Sequence, residues 1–131
     1  MPVKGVNHVN IIARDLDETV RFYADLLGLR RGETPGAAMG FKGAWLHDAA
    51  DCPIIHLMAW NEGRHGGTDR GGATGSIDHV ALTCEDFAGT LRRCEELGLE
   101  HRINDRQFGD LRQIFVTDPN NVALELNFAG D

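Results

Sequence analysis

His8 and His79 stand 71 residues apart, each in the middle of a similar triplet, Asn7-His8-Val9 and Asp78-His79-Val80. Imidazole nitrogens serve at neutral pH as general acids, general bases and metal ligands. A histidine kept at one place in two similar segments is therefore a candidate for chemistry. Glu125 lies between Leu124 and Leu126 near the end of the chain. A carboxylate there is expensive to bury unless it is paired or ligated. His56, between Ile55 and Leu57, stands in a run of the same kind. Imidazole and carboxylate together form a mixed, borderline donor set, suited to Zn, Fe, Mn, Ni or Co and not to Ca. One bound divalent metal would account for all four residues with a single cause.

Such side chains need elements that aim them at one point, and the chain supplies those elements twice. Val6-Asn7-His8-Val9-Asn10-Ile11-Ile12 leads to Asp15 and to a stretch that ends Leu27-Gly28-Leu29. Ile77-Asp78-His79-Val80-Ala81-Leu82-Thr83 leads to Asp86 and to a stretch that ends Leu97-Gly98-Leu99. Asp15 and Asp86 share the spacing of 71, as do Thr19 and Thr90, whereas Gly28 and Gly98 lie 70 apart. Each copy opens with the period-2 alternation of a strand. An Asp then stands where a helix N-cap belongs. Apolar residues at helical spacing follow, and a glycine closes the helix where positive φ is needed.

Three strand-like runs come after each helix: 29–33, 38–46 and 54–60 in the first half, and 100–103, 111–117 and 122–128 in the second. Asp118-Pro119-Asn120-Asn121 is a turn between the last two. The expected fold is α+β: two tandem βαβββ modules forming a concave mixed sheet around a metal cleft. One domain spans 1–131, with a first module over about 4–62, a glycine-rich linker over about 63–75 and a second module over about 76–129. The linker holds six of the sixteen glycines and reads as a plain flexible connection, a mobile flap being the alternative.

Strand alternation assigns the faces. Val9 and Ile11 pack under the first helix and leave His8 and Asn10 toward the cleft; Val80 and Leu82 do the same in the copy and leave His79 and Ala81. In 122–128 the even positions are all apolar, so Ala123, Glu125 and Asn127 face the cleft. Pairing 54–60 with that strand puts Ile55 and Leu57 with Leu124 and Leu126, and His56 with Glu125. Only one copy has a histidine there. His47, His65 and His101 have no comparable placement and read as ordinary polar residues. Trp45, Met58, Trp60, Gln113 and Phe115 are aimed inward and are candidate substrate contacts; Gln113, polar between apolar neighbours, is the most informative.

Composition narrows the function classes. Hydrophobic residues make up 42% and charged residues 25% of the chain, a globular balance. Thirteen Lys and Arg against twenty Asp and Glu leave a net charge of −7, without the cationic stripe that phosphate neutralisation needs, so no nucleic-acid partner is expected. No apolar run approaches the roughly 20 residues that cross a bilayer, and the start has no signal-peptide core. A cytoplasmic protein without a membrane partner is expected. Cys52, Cys84 and Cys94 lack Cys-x-x-Cys spacing and form neither a disulfide framework nor a thiolate zinc site.

The paired halves, the two triplets and the closing Asp118-Pro119-Asn120-Asn121-Val122-Ala123-Leu124-Glu125-Leu126 resemble the vicinal oxygen chelate superfamily, which includes glyoxalase I, extradiol dioxygenases, fosfomycin-resistance thiol transferases and bleomycin-binding proteins. The resemblance spans nearly the whole chain. It implies a concave sheet around one divalent metal that chelates two neighbouring oxygens of a small-molecule substrate, with His8, His79 and Glu125 as ligands. His56 occupies the place of a fourth ligand that is usually Glu or Gln in glyoxalase and epimerase members. Sites of this kind are often shared across a homodimer, so a homodimer is implied as well.

Coordination counting separates the reactions. Three protein ligands leave an octahedral metal three positions, enough for a catecholate and O2. Four leave two, enough to hold an enediolate during proton transfer. His56 as a ligand thus points to a glyoxalase-like isomerase, lyase or epimerase in which Glu125 is ligand and catalytic proton acceptor. The alternatives are an Fe(II) extradiol-type dioxygenase and a small-molecule- or antibiotic-binding resistance protein without catalysis. A thiol transferase of the fosfomycin type would need a cationic pocket; alternation turns Arg112 to the face opposite Gln113, and no Lys/Arg cluster is visible.

Overall fold

The computed structural model describes residues 1–32, 42–61 and 74–130. Positions 63–73 of the expected linker, with His65, lie outside the described residues, as do position 33 of one expected strand and positions 38–41 of the next. The order of elements is β1 (Val9–Ala13), α1 (Leu16–Leu27), β2 (Arg30–Gly32), β3 (Gly43–His47), β4 (Pro53–Ala59), β5 (Val80–Thr83), α2 (Phe87–Glu96), β6 (Arg102–Phe108), β7 (Leu111–Thr117) and β8 (Ala123–Phe128). Two βαβββ modules are therefore present, as the sequence predicts. The expected single sheet is, in the described residues, two four-stranded sheets of identical plan, β1-β4-β3-β2 and β5-β8-β7-β6. They belong to two compact units. In each, the first strand runs parallel to the last and the remaining pairs are antiparallel.

The helices begin and end where local chemistry dictates. Asp15 Oδ1 accepts from Glu18 N at 3.0 Å, and Asp86 Oδ1 accepts from Gly89 N at 3.0 Å, each satisfying an orphan amide of the first turn. A Cβ on Gly89 would lie 2.1 Å from Asp86 Oδ2, so the second cap closes tightly only over glycine. The reach of this cap also explains why α2 starts at Phe87, ahead of the apolar spacing that begins at Thr90. Gly28, at φ +66°, ends α1 in the left-handed conformation, its N–H bonded to Ala24 O at 2.9 Å.

Alternation then divides each sheet into a core face and a polar face. In the first unit Ile11, Ala13, Ala44, Leu46, Ile55 and Leu57 are buried. In the second, Ile114, Val116, Leu124, Leu126 and Phe128 are buried, and Phe128 meets the α2 residue Phe87 edge-on at 5.4 Å. The Arg112 guanidinium lies 3.6 Å over the Phe87 ring, on the face away from Gln113, as expected. The remaining positions, His56 and Trp45 in one sheet and Glu125, Phe115 and Asn127 in the other, are half-buried on the opposite face.

The turn before β8 sets the register of Glu125. Asp118, 4% exposed, accepts at Oδ1 from Asn120 N and Val122 N, both at 2.8 Å, while its own N–H bonds Val122 O at 2.9 Å. Asn121 supplies the positive φ of +67° that the turn requires. Asp118→Ala leaves two amides of the turn without their acceptor and should lower unfolding stability by about 2 kcal/mol or more, measured by urea denaturation. Asp118→Asn retains one acceptor oxygen and should recover part of that loss.

Candidate metal centre

The chain brings the expected donors together as two pairs, one in each unit. In the first, the His8 and His56 ring centroids are 6.3 Å apart. Trp45 joins them, stacked on His56 at 4.2 Å with the rings 6° from parallel and meeting His8 edge-on at 4.7 Å. Register accounts for this group, because Asn10, His56 and Trp45 are direct neighbours across β1, β4 and β3. In the second, His79 Nε2 is 3.9 Å from Glu125 Oε2. The equivalent row there is Ala81, Glu125, Phe115 and Arg102 across β5, β8, β7 and β6. His56 thus occupies in the first sheet the place that Glu125 occupies in the second. Among the described residues no group of three or more His, Cys, Asp and Glu is gathered as a metal-holding cluster.

The hydrogen bonds decide which ring nitrogens are open. His79 Nδ1 lies 2.8 Å from Asp78 Oδ2, and His8 Nδ1 lies 2.6 Å from Asn7 Oδ1. Both acceptors draw the proton to Nδ1 and leave the Nε2 lone pair outward, the tautomer a metal requires. Glu125 offers carboxylate oxygen in the same unit as His79. The donor types of the His79–Glu125 pair, imidazole nitrogen and carboxylate oxygen, suit a divalent metal. His56 differs: Asn10 Nδ2 is 3.1 Å from its Nδ1. An amide nitrogen donates, so this orientation keeps the His56 proton on Nε2. His56 gains a lone pair at Nε2 only when Asn10 turns its oxygen inward, and the orientation of an amide follows from its neighbours rather than from its shape.

A cavity of about 720 Å³ in the second unit is walled by His79, His101, Arg102, Phe115 and Thr117, among others. The Arg102 guanidinium lies 4.2 Å over the Phe115 ring. Phe115 lines this cavity, and Gln113, only 7% exposed, sits in the adjacent row. Trp45 is placed against the histidines and Met58 lies beside Gly43 on the same face. Trp60 follows β4, its backbone N–H bonded to Ala13 O at 2.8 Å and its indole nitrogen buried without a hydrogen-bond partner among the described residues. His47 bonds Asp51, which also pairs with Arg30, in a cluster at the end of β3 two residues beyond Trp45. Sequence reasoning missed Asn7, Asp78, His101 and Arg102. The signal for the first two was present in the triplets; the last two carry none, since they lie where β6 begins.

Cysteine chemistry does not contribute to this face. Burial pushes the Cys84 thiol up to about 11, and burial raises the Cys94 thiol too, so neither forms the thiolate nucleophile near neutral pH. Asp78, by hydrogen bonding, raises the His79 imidazolium above the ordinary histidine range; partial desolvation opposes this and the charge of Glu125 adds to it. Since the folded value is the higher one, protonation favours the folded state. That contribution is full below the ordinary value of 6.5 and fades as pH rises through the folded value. In metal-free protein, Asp78→Asn should move the His79 midpoint down, read from the imidazole proton shifts in an NMR titration; an unmoved midpoint would show that Asp78 does not hold the ring.

The family described as Glyoxalase/Bleomycin resistance protein/Dioxygenase superfamily matches residues 5–126. The chain is 28% identical over 130 residues to Glyoxylase I 4 of Arabidopsis thaliana, covering 93% of this chain and 69% of that protein. It is 31% identical over 133 residues to the metallothiol transferase FosB of Staphylococcus epidermidis, covering 95% and 84%. Among solved structures, a mutant of the fosfomycin resistance protein FosX from Listeria monocytogenes, complexed with Mn(II) and 1S,2S-dihydroxypropylphosphonic acid, has a TM-score of 0.74 at 19% identity, covering 98% of this chain and 94% of that one. FosX from Mesorhizobium loti has a TM-score of 0.69 at 22% identity, covering 99% and 95%.

Proposed function

The chain belongs to the Glyoxalase/Bleomycin resistance protein/Dioxygenase superfamily, and on that premise we propose that it is a divalent-metal-dependent, glyoxalase-like enzyme acting on a small oxygenated substrate by proton transfer, with His8, His79 and Glu125 as metal ligands. The observation that carries the reading is the Glu125 carboxylate, half-buried on the polar face of the second sheet with Nε2 of His79 3.9 Å away. Imidazole nitrogen beside carboxylate oxygen is the mixed donor set that a borderline divalent metal takes. The metal is Ni, Zn, Mn, Co or Fe, and it would supply a Lewis acid for the substrate oxygens.

The chain's own residues do the rest. Glu125 accepts the substrate proton as well as ligating, being acceptor-only when ionised. His56 joins as a fourth ligand in the tautomer that carries its proton on Nδ1, with Asn10 presenting its oxygen. Trp45, Met58, Trp60, Gln113 and Phe115 line the substrate space. A homodimer is part of the proposal: each module has an edge strand, β1 or β5, preceded by an apolar residue that is exposed among the described residues, Val6 or Ile77, and a second copy would cover such residues.

A second reading is thiol addition to a small electrophile bearing an anionic group. Arg102 favours it, because its guanidinium lies at the wall of the cavity that His79 lines, and the likeness to metallothiol transferase FosB supports it.

Protein purified without chelator should contain about one divalent metal per chain by elemental analysis, and Glu125→Gln should remain folded while losing most of it. Retention of metal by Glu125→Gln at the parent's affinity would overturn the ligand assignment. His56→Ala separates four ligands from three: unchanged affinity makes His56 a bystander. With metal restored, turnover of a 2-oxoaldehyde–thiol adduct supports proton transfer, turnover of an anionic epoxide with a thiol supports the second reading, and turnover of neither with any candidate metal removes the enzyme proposal. Arg102→Ala should depress only the epoxide reaction.

A further inference from the structure

The second sheet carries a line of side-chain amides that ends on Glu125. Asn104 Nδ2 donates to Gln113 Oε1 at 2.9 Å, Gln113 Nε2 donates to Asn127 Oδ1 at 2.9 Å, and Asn127 Nδ2 donates to Glu125 Oε2 at 3.1 Å. The strand register makes this line continuous. Asn104, Gln113, Asn127 and Thr83 are neighbours across β6, β7, β8 and β5, and Glu125 lies two residues before Asn127 on the same face.

Its direction is forced from the carboxylate end. An ionised carboxylate can only accept, so Asn127 must turn its nitrogen to Glu125 and its oxygen to Gln113. Gln113 must then meet Asn127 with nitrogen and Asn104 with oxygen. All three amide dipoles therefore point their positive ends toward Glu125, and successive hydrogen bonds in a buried row polarise one another. The row fastens Oε2, whereas Oε1 accepts no hydrogen bond among the described residues.

The other module shows that the fold does not require this arrangement. At the same row of the first sheet stand Ile12, Met58 and Gly43, which have no side-chain hydrogen-bonding groups of this kind. Met58 corresponds to Asn127 as His56 corresponds to Glu125. Buried amides are costly unless satisfied, and the module lacking the carboxylate also lacks the amides.

We propose that Asn127, held by Gln113 and Asn104, is a positioning residue that pins Glu125 Oε2, the oxygen 3.9 Å from His79 Nε2, and so fixes how the carboxylate meets the metal. The inference rests on the reading of Glu125 as a ligand. Outer partners of this kind are worth roughly 10–100-fold in metal affinity.

Asn127→Met copies the apolar row of the first module. Mn2+ affinity of the folded protein, measured against a competing chelator, should fall about tenfold in Asn127→Met, with thermal stability lowered because the Gln113 amide loses its acceptor. Asn127→Met combined with Glu125→Gln should bind no more weakly than Glu125→Gln alone, because the two act through one oxygen. Parent-like Mn2+ affinity in Asn127→Met, with Glu125→Gln impaired, would leave Glu125 a ligand and overturn the positioning role. Parent-like affinity in Glu125→Gln would overturn both. If Asn127→Met does not fold, the wild-type protein decides: saturating Zn2+ should shift the side-chain amide resonances of Asn127 and Gln113, and unmoved resonances with Zn2+ bound would overturn the proposal.

Discussion

The rest of the site depends on one constraint, the negative charge of Glu125, half-buried on the polar face of a strand whose other face, with Leu124 and Leu126, belongs to the core. A carboxylate in such a place needs donors. The second sheet provides an amide from the same strand, an imidazole from the segment before β5, and further amides on β7 and β6 that orient the first. Arg102, on the same face, lies over Phe115 instead, and on the core face the Arg112 guanidinium lies over Phe87 beside the hydrophobic packing.

The duplicated architecture makes the specialisation visible. Both modules use the same cap, the same glycine stop and the same strand order, so differences between corresponding rows reflect chemistry rather than topology. Where one module has Glu125 beside Phe115 and Arg102, the other has His56 stacked on Trp45. An imidazole stacked on an indole is oriented by π contact and by Asn10. A carboxylate has no such option and is oriented by hydrogen bonds. The two modules therefore solve the same positional problem by different forces, each suited to the donor it carries.

Local and long-range structure are coupled through the turn at Asp118. Its buried carboxyl group fixes the backbone from Asn120 to Val122, and the alternation of β8 follows directly from that register. A slip by one residue would carry Glu125 to the core face and Leu124 to the polar one. The triplets before β1 and β5 act over a shorter range: Asn7 and Asp78 need only the adjacent residue to select the tautomer of His8 and His79.

The sequence by itself determined the duplication, the Asp caps and glycine stops of both helices and the division of β8 into an apolar and a polar face. All of these rest on spacing within one element or on comparison of two copies, which a linear pattern preserves. Cross-strand relations were decided only by the tertiary structure. β4 is apolar on both faces in the sequence, and pairing with β1 and β3 is what sets His56 between Asn10 and Trp45. β6 has no clean alternation, so Asn104 and Arg102 acquired places on the polar face only through their register with Gln113 and Phe115. A side chain's partner across a sheet depends on hydrogen-bond register between segments distant in the chain, and no local pattern of residue types carries that information.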